Sequence, residues 1–305
     1  MNTDRRPSVA VIGLGSMGLG MALSVARSGL LVTGFDINAD SMAKLKLGGG
    51  QTALSIAEAA ADRDIVIAVV VNASQTETVL FGEGGAAEHI KRGGVIISSA
   101  TMAPEDARRF AEKSHALGVH YLDAPISGGA AKAAKGDLTI MASGTPEAFA
   151  QARPALDAIA GTVYELGNEA GIGASFKMVN QLLAGVHIAA ACEAVTFAKR
   201  LGLDLAQVYR VITASAGNSW MFENRVPHIL DGDYSPRSAV SIFTKDLGIV
   251  SDMGRRETFP LPLAATALQM FVMTAAAGMG QDDDASVARM IAMMTGLDLP
   301  GAKKD

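Results

Sequence analysis

Along the first half of the chain, short apolar runs alternate with stretches of helical periodicity. The apolar runs are predicted strands, and they cover residues 8–12, 31–35, 64–71, 95–97, 119–122 and 138–142. Helical patterns lie between them at residues 17–28, 39–47 and 104–117, and Ser55 with Glu58 forms a capping-box start for a further helix. Apolar strands separated by helices are typical of a parallel sheet that is covered on both faces. The pattern predicts a doubly wound α/β domain.

The pattern changes near residue 168. Residues 167–173 are rich in glycine, and no strand is predicted after them. Helical periodicity continues through residues 174–200, 205–214, 241–255, 262–277 and 285–294. The segment 174–200 is apolar nearly all round, so we expect it to be buried. The sequence therefore predicts an α/β domain over residues 1–168 and an all-helical domain over residues 169–305.

Composition excludes several classes of protein. The chain has 305 residues, is 49% hydrophobic and carries a net charge of −5, which excludes disorder and, with no long basic run, argues against a nucleic-acid partner. A single cysteine, Cys192, forms neither an internal disulfide nor a cysteine-based metal site, and no histidine has metal-ligand spacing, so we predict no metal. The polar start and the lone cysteine favour a cytoplasmic protein.

Residues 259–280 contain no charged side chain and have the length of a membrane span. They include Pro260, Pro262 and Gln269, and acidic residues 282–284 follow at once without basic or aromatic anchors. We therefore expect no membrane span but a buried helix or a subunit contact. A subunit contact here predicts a homodimer or a homotetramer.

A glycine-rich loop follows the first predicted strand. It has the pattern G-x-G-x-x-G, formed by Gly13, Leu14, Gly15, Ser16, Met17 and Gly18. The loop opens a helix, and Asp36 lies 18 residues after Gly18, a context specific for dinucleotide binding. Gly13 permits the tight turn, Gly15 lets the backbone approach a pyrophosphate, and Gly18 allows close packing of helix and strand. The helix N-terminus then holds the phosphates.

Asp36 ends the second predicted strand. A carboxylate there accepts hydrogen bonds from the ribose hydroxyls and repels a 2′-phosphate, so we predict NAD rather than NADP as the cofactor. The alternative is that Asp36 caps the helix that follows.

Lys177 lies near the start of the long apolar helix. Burying an ammonium costs several kcal/mol unless it is paired or neutralised, and such a site can lower the pKa of a lysine and make it a proton carrier. Asn180 and Gln181 are three and four residues on and share its face, which suggests a polar cleft. The alternative is a lysine whose head reaches the surface at the helix end.

Two further segments allow two interpretations each. Ser127, Gly128 and Gly129 offer a hydroxyl and backbone N–H groups that suit a carboxylate, or they form an ordinary turn. Trp220 and Phe222 either wall a pocket or pack in the core. The pair Lys245–Asp246 is predicted as a solvated charge pair in a helix.

Together these motifs resemble the β-hydroxyacid dehydrogenase family, which includes relatives of 3-hydroxyisobutyrate and tartronate semialdehyde dehydrogenases. The matching segments are residues 13–22, 123–129, 171–177 and 245–248, and the resemblance covers almost the whole chain. It implies a Rossmann domain, a helical domain joined by one long helix, and a cleft between them. It makes Lys177 the catalytic residue and implies that Val71, Asn72, Thr101 and Lys245 contact the cofactor.

One departure from the family pattern matters. The family places asparagine four residues after the catalytic lysine, where this chain has Gln181, with Asn180 one position earlier. The extra methylene moves the amide by about 1.3 Å. Residues 177–190 and 216–225 resemble the branch of the family that acts on L-threonate, and residues 231–234 and 299–301 agree with it.

The resemblance implies oxidation of L-threonate at C2 with NAD, with Lys177 as general acid and base. The implied substrate-binding residues are Ser127, Gly128, Gly129, Asn180, Gln181, Asn218 and Trp220. The alternatives are a 3-hydroxyisobutyrate or a tartronate semialdehyde (2-hydroxy-3-oxopropionate) enzyme and, in another class, a non-catalytic cofactor-binding module.

Overall fold

The computed structural model describes residues 6–301. The chain divides into two compact units, Met1–Lys177 and Met178–Asp305. This division falls inside one continuous helix, Ile172–Arg200. The domain boundary that we expected after residue 168 stays a prediction, because a boundary within a helix depends on how its first turns are assigned.

The first unit contains nine strands and eight complete helices within the described residues, followed by the start of the long helix. The strands are β1 (Ser8–Ile12), β2 (Leu31–Phe35), β3 (Gln51–Thr52), β4 (Ile65–Ala68), β5 (Val95–Ser98), β6 (His120–Asp123), β7 (Ile126–Ser127), β8 (Leu138–Ala142) and β9 (Ala160–Glu165). The helices are α1 (Gly18–Arg27), α2 (Ala39–Leu47), α3 (Ile56–Ala60), α4 (Ala73–Phe81), α5 (Ala86–His89), α6 (Pro104–Ala116), α7 (Gly129–Lys135) and α8 (Pro146–Ile159).

Six of these strands form one parallel sheet in the order β3-β2-β1-β4-β5-β6. In register, Val9 of β1 lies beside Val32 of β2 on one side and Ile65 of β4 on the other. The order reverses at β1, as in a doubly wound sheet, and a ligand binds outside the carboxyl ends of the strands at such a reversal. The predicted fold class is confirmed.

Alternate residues of β1 enter two different cores. Val9 and Val11 pack with helices α1 and α8 on one face of the sheet. Ala10 and Ile12 pack with Phe110 of α6 on the other face. Because both faces are covered, all five residues of β1 are buried, which explains the continuous apolar run in the sequence.

Three details of the predicted strands are wrong. The strand predicted at 64–71 is shorter, since β4 ends at Ala68. The strand at 138–142 forms, but it belongs to a second sheet of order β7-β8-β9, not to the parallel sheet. Strands β3, β7 and β9 were not predicted, because β3 and β7 have only two residues each and β9 is largely exposed and lacks an apolar run.

The second unit is helical throughout its described residues. It contains most of α9 (Ile172–Arg200), then α10 (Leu205–Thr213), α11 (Trp220–Asp231), α12 (Val240–Arg256), α13 (Pro262–Thr274) and α14 (Val287–Thr295). Helix α11 was not predicted, since Pro227 lies inside it and proline disfavours a helix interior. The core is apolar and includes the stacked rings of Phe243 and Phe271, whose centroids are 5.1 Å apart.

The expectation that α9 is buried all round is only half correct. Its Val179, Leu183 and Phe197 side chains are exposed in the single chain, the last at 62%. Helix α9 and residues Pro262–Met279 are long and apolar enough to cross a membrane, with 56% and 28% of the most apolar window buried. Core helices and subunit contacts have the same composition, so these two helices do not indicate a membrane protein.

Candidate active site

The glycine loop has the geometry that its sequence predicts. Gly13 has a φ of +93°, and a Cβ there would lie 2.4 Å from the carbonyl oxygen of Val69. A Cβ on Gly18 would lie 1.9 Å from the carbonyl oxygen of Gly13, so helix α1 approaches the loop closely. At Gly15 no protein atom would lie within 4 Å of a Cβ, which leaves open space beside the backbone. This space at the start of a helix fits the phosphates of a dinucleotide.

Asp36 follows β2 and is bonded to the glycine loop. Its Oδ2 accepts a hydrogen bond of 2.5 Å from the backbone N–H of Leu14, and its Oδ1 accepts one of 2.8 Å from Asn38 N–H. The cap of α2 is Asn38, whose side chain accepts from Asp40 and Ser41 N–H groups. Asp36 therefore does not cap this helix, and its carboxylate lies at the glycine loop.

The other residues predicted to contact the cofactor follow β4 and β5. Asn72 caps α4, since its side chain accepts a hydrogen bond from Gln75 N–H. The Gln75 side chain in turn accepts from Val71 N–H at 2.9 Å, which fixes the loop after β4. Thr101 follows β5 and is partly buried. These positions lie at the carboxyl ends of β4, which neighbours β1, and of β5, which neighbours β4, and the fold places its ligands at this edge of the sheet.

Lys177 is buried, with 6% of the residue exposed, and its head does not reach the surface as the alternative interpretation required. Its Nζ donates a hydrogen bond of 2.8 Å to the carbonyl oxygen of Ile126. Ile126 directly precedes Ser127, Gly128 and Gly129. The structure therefore brings together the predicted catalytic lysine and the predicted carboxylate-binding segment, 51 residues apart in sequence.

Ser127 to Gly129 lie at the junction of β7 and α7. Ile126 and Ser127 pair with β8, which fixes the start of the segment. Gly128 and Gly129 have φ values of +133° and +75°, and a Cβ on Gly129 would meet no protein atom within 4 Å. The backbone at Gly129 is thus open to a ligand, as a carboxylate site requires.

Asp123 is a buried acid beside this segment, and sequence analysis did not assign it a role. Its Oδ2 accepts hydrogen bonds from the backbone N–H groups of Gly171 at 2.9 Å and Ala174 at 2.8 Å. Burial raises the pKa of Asp123 to about 6, against the opposing effect of these bonds. Its partners are about 50 residues away in sequence, so local patterns gave no signal.

In the second unit, two of the predicted residues, Gln181 and Lys245, contact one buried acid, Asp246. The Gln181 amide nitrogen donates to Asp246 Oδ2, and Lys245 Nζ lies 2.6 Å from Asp246 Oδ1. Asn180 Nδ2 donates to Gln181 Oε1 at 2.9 Å. Asp246 is only 1% exposed, so the prediction of a solvated Lys245–Asp246 pair is wrong. The acid fixes the side chains of Gln181 and Lys245.

Asn218 and Trp220 lie before and at the start of α11, and the described contacts do not join them to this acid. Asn218 Nδ2 donates to Thr213 and to Glu223 at 3.2 and 2.5 Å. Trp220 is exposed. Phe222 is buried and stacks on Tyr209 with ring centroids 6.2 Å apart. It also lines an apolar groove beside α9 and α10, so it both packs in the core and walls a pocket.

Among residues 6–301, no group of three or more histidine, cysteine or acidic residues is arranged to hold a metal ion.

Two family models match the two parts of the chain. Residues 8–167 match the NAD binding domain of 6-phosphogluconate dehydrogenase. Residues 171–291 match the model described as the NAD-binding domain of NADP-dependent 3-hydroxyisobutyrate dehydrogenase. Together the matches cover most of the chain, and they confirm the prediction of a dinucleotide-binding domain.

Individual relatives match over the full length. An L-threonate dehydrogenase of Escherichia coli (strain K12) is 49% identical over 304 residues, which cover 99% of this chain and 100% of that protein. An L-threonate dehydrogenase of Cupriavidus necator is 51% identical over 294 residues, covering 96% and 98%. A crystal structure named 3-hydroxyisobutyrate dehydrogenase, from Salmonella typhimurium, is 48% identical with a TM-score of 0.90, covering 93% of this chain and 99% of that one.

These matches confirm the resemblance drawn from the motifs and the prediction of NAD as cofactor. The chain belongs to the β-hydroxyacid dehydrogenase family and is an NAD-dependent hydroxyacid dehydrogenase.

Proposed function

We propose that this chain oxidises L-threonate at C2 to 2-oxo-tetronate, with Lys177 as the general acid and base. The observation that carries the proposal is the buried Lys177 ammonium group, 2.8 Å from the carbonyl oxygen next to the Ser127–Gly129 segment. A carboxylate held by that segment has its neighbouring carbon, C2, within a short distance of Lys177. The substrate itself comes from the relatives that carry the name L-threonate dehydrogenase.

The reaction removes a hydride and a proton from C2 and its hydroxyl. NAD, which the glycine loop and Asp36 would hold, would supply the hydride acceptor. Lys177, in its unprotonated form, takes the hydroxyl proton, which leaves a 2-oxo acid. In the reverse direction Lys177 returns the proton to the ketone oxygen.

Gln181 supports this step from the next turn of α9. The Asp246 carboxylate can only accept hydrogen bonds. The Gln181 amide must therefore point its nitrogen toward Asp246 and its oxygen toward Asn180. One N–H of this amide remains for a substrate oxygen. We infer that this N–H stabilises the charge that develops on the oxygen at C2.

The substrate panel is the decisive experiment. We expect kcat/KM with NAD to be far higher for L-threonate than for D-threonate, 3-hydroxyisobutyrate or glycerate. A site built to bond substrate hydroxyls rejects analogues that lack them by about 10⁴-fold or more. Higher kcat/KM for 3-hydroxyisobutyrate or glycerate would contradict the substrate assignment and leave the family and cofactor in place.

A second candidate is 3-hydroxyisobutyrate oxidation. It is supported by the name of the crystal structure that is 48% identical to this chain. The polar side chains Asn180 and Gln181 favour the sugar acid, because a methyl-branched acid offers fewer oxygens to the N–H of the Gln181 amide that Asp246 leaves over. The same substrate panel decides between the two.

A non-catalytic cofactor-binding module is the alternative of another class. The buried Lys177 beside the Ser127–Gly129 segment argues against a non-catalytic module. Burying an ammonium group that has no function costs folding free energy. Absorbance in the reduced-nicotinamide band shows turnover directly, and its complete absence across the panel would support the module.

We propose further that the protein is a homodimer or a homotetramer. The second unit carries an apolar groove of about 720 Å³ between α9, α10 and the start of α11. Apolar side chains at its rim are exposed, namely Phe197, Leu201, Leu203 and Val211. A contiguous apolar surface of this kind marks a protein contact.

Light scattering on a size-exclusion column tests this assembly. We expect Phe197→Asp to shift the protein toward the monomer, while Leu47→Ser, at a still more exposed apolar site on α2, leaves the mass unchanged. A monomeric parent protein would contradict the proposal.

We also propose a cytoplasmic location. The single cysteine, Cys192, is buried, and burial raises the pKa of its thiol, so the chain offers no disulfide to an oxidising compartment. Cell fractionation with an antibody tests this location, and recovery in a membrane or secreted fraction would contradict it.

A further inference from the structure

The start of helix α9 is held by side chains from elsewhere in the first unit. Asp123 Oδ2 accepts from Gly171 N–H at 2.9 Å and from Ala174 N–H at 2.8 Å. Ser143 Oγ accepts from Gly173 N–H at 2.9 Å. Both side chains are buried. The N–H groups that a helix start leaves without intrahelical partners are thus satisfied by the sheet region.

These two residues are themselves fixed to each other. Asp123 N–H donates to the Ser143 carbonyl at 3.0 Å, and Ser143 N–H donates to the Asp123 carbonyl at 2.8 Å. The helix approaches this pair closely, since a Cβ on Gly173 would lie 2.4 Å from the Met141 carbonyl oxygen and 2.9 Å from that of Asp123. The first turn of α9 therefore has little freedom to shift.

Lys177 follows Ala174 by three residues, less than one helical turn. Its Nζ donates to the carbonyl oxygen of Ile126, and Ile126 lies three residues after Asp123. One short segment of chain, from Asp123 to Ile126, thus holds both the first turn of the helix that carries Lys177 and the Lys177 head group. A proton carrier must lie within hydrogen-bond reach of its substrate, and misplacement by about 1 Å can cost about 10²-fold in rate.

We propose that Asp123, assisted by Ser143, is a positioning residue that sets the place of Lys177 through the first turn of α9. The inference rests on the proposed role of Lys177 as general acid and base. Asp123 does not exchange protons with the substrate. Its negative charge at the positive end of the helix dipole strengthens the two backbone hydrogen bonds.

The charge on Asp123 is an independent sign of this role. An asparagine has the same shape and its Oδ1 accepts the same bonds, yet the chain keeps an acid where burial raises the pKa to about 6. The ionisable groups that face Asp123 are Arg108 of α6, which favours the charged form, and the buried phenol of Tyr121 on β6. The rate should therefore fall as the pH drops below about 6, when the carboxylate takes up a proton and its bonds to the helix weaken.

Two substitutions at Asp123 test the proposal in the full-length enzyme with NAD. We expect Asp123→Ala to lower kcat by about 10–100-fold, while the Kd for NAD stays unchanged because the glycine loop is untouched. We expect Asp123→Asn to lower kcat less. In the direction of 2-oxo acid reduction, where Lys177 acts as the acid and limits the rate only at high pH, we expect this variant to abolish the acidic limb of the kcat–pH profile. A residue with a merely structural role would not move this limb.

Thr145→Ala is the matched control. Thr145 Oγ1 accepts from Ala148 N–H at 3.2 Å and caps α8, which does not carry Lys177. Its loss should lower stability and leave kcat and the pH profile unchanged.

Parental kcat in Asp123→Ala, with Lys177→Ala inactive, would overturn the positioning role and leave the proposed function intact. If Asp123→Ala does not fold, Asp123→Asn decides, and parental kcat with a retained acidic limb overturns the proposal. Normal turnover in Lys177→Ala would instead remove the proposed function, and the positioning role with it.

Discussion

Asp246 accepts a hydrogen bond from the amide nitrogen of Gln181, although 65 residues separate them in sequence. The family places the shorter asparagine at the Gln181 position. The longer side chain here reaches the acid on α12, and this bond fixes the amide with its nitrogen toward Asp246. The departure from the family pattern is therefore compensated by a fixed orientation of the amide.

Loss of this orientation should weaken substrate binding. A hydrogen bond to a charged group contributes about 1.5–3 kcal/mol, so Asp246→Ala should raise KM for L-threonate by about tenfold or more. Steady-state kinetics measure the effect. Asp252→Ala, at an exposed acid on the same helix, is the control and should behave like the parent. Parental KM and kcat in Asp246→Ala would show that the Gln181 amide does not contact the substrate.

Removal of the proton carrier should abolish most turnover. Lys177→Ala is expected to lower kcat by about 10²–10⁴-fold, because a positioned general base contributes that factor. Binding of NAD, followed by fluorescence or calorimetry, should survive. Turnover near the parental value would show that Lys177 is structural.

Cofactor choice should depend on Asp36. Asp36→Ala removes the acceptor for the ribose hydroxyls and the repulsion of a 2′-phosphate, so kcat/KM for NAD relative to NADP should fall by about tenfold or more. The variant also loses the bond to Leu14 N–H, which should weaken binding of both cofactors. Asp40→Ala, at the start of α2, leaves that bond in place and serves as the control. A parent enzyme that prefers NADP would contradict this prediction.

Two glycines of the cofactor loop should respond differently to alanine. Gly15→Ala meets no protein atom, so its free energy of unfolding should change by less than about 0.5 kcal/mol while the Kd for NAD rises. Gly18→Ala places a Cβ 1.9 Å from the Gly13 carbonyl oxygen and should cost about 1–3 kcal/mol of stability. Thermal unfolding and NAD titration separate the two effects. Equal stability losses in both variants would contradict the geometry of the loop.

Asp123 should make stability depend on pH. Burial raises its pKa from 3.8 to about 6. Between these two pH values the folded state binds more protons than the unfolded state. The contribution of Asp123 to the free energy of unfolding therefore falls as the pH rises through this window. At 1.36 kcal/mol per pH unit the loss by neutral pH is about 3 kcal/mol.

Asp123→Asn should therefore gain stability relative to the parent as the pH rises from about 4 to about 7. Urea unfolding at several pH values measures the free energy of unfolding of the variant and of the parent. Subtracting one from the other cancels the contributions of the other titratable groups. A difference that does not change with pH would show that Asp123 does not titrate in this window.

Sequence alone predicted the features that depend on neighbouring residues. Each of these features is a short local pattern with a physical requirement of its own. The apolar run of β1 reflects burial on both faces of the sheet. The glycines of the loop are required by a positive φ or by close approach of the backbone, and the acid after β2 marks the end of that strand. The same holds for most helices, whose periodicity is local. It does not hold for α11, where Pro227 interrupts the pattern, or for β9, which is too exposed to show an apolar run.

Only the tertiary structure decided which charged residues are buried and which partners they have. From sequence, Lys177 was equally compatible with a surface lysine, and the pair at Lys245 looked solvated. Their burial and their partners come from segments 51 and 65 residues away, which the fold brings together. The roles of Asp123 and Asp246 have the same origin. Hydrogen bonds between distant segments depend on the packing of strands and helices, and no local pattern of residues records them.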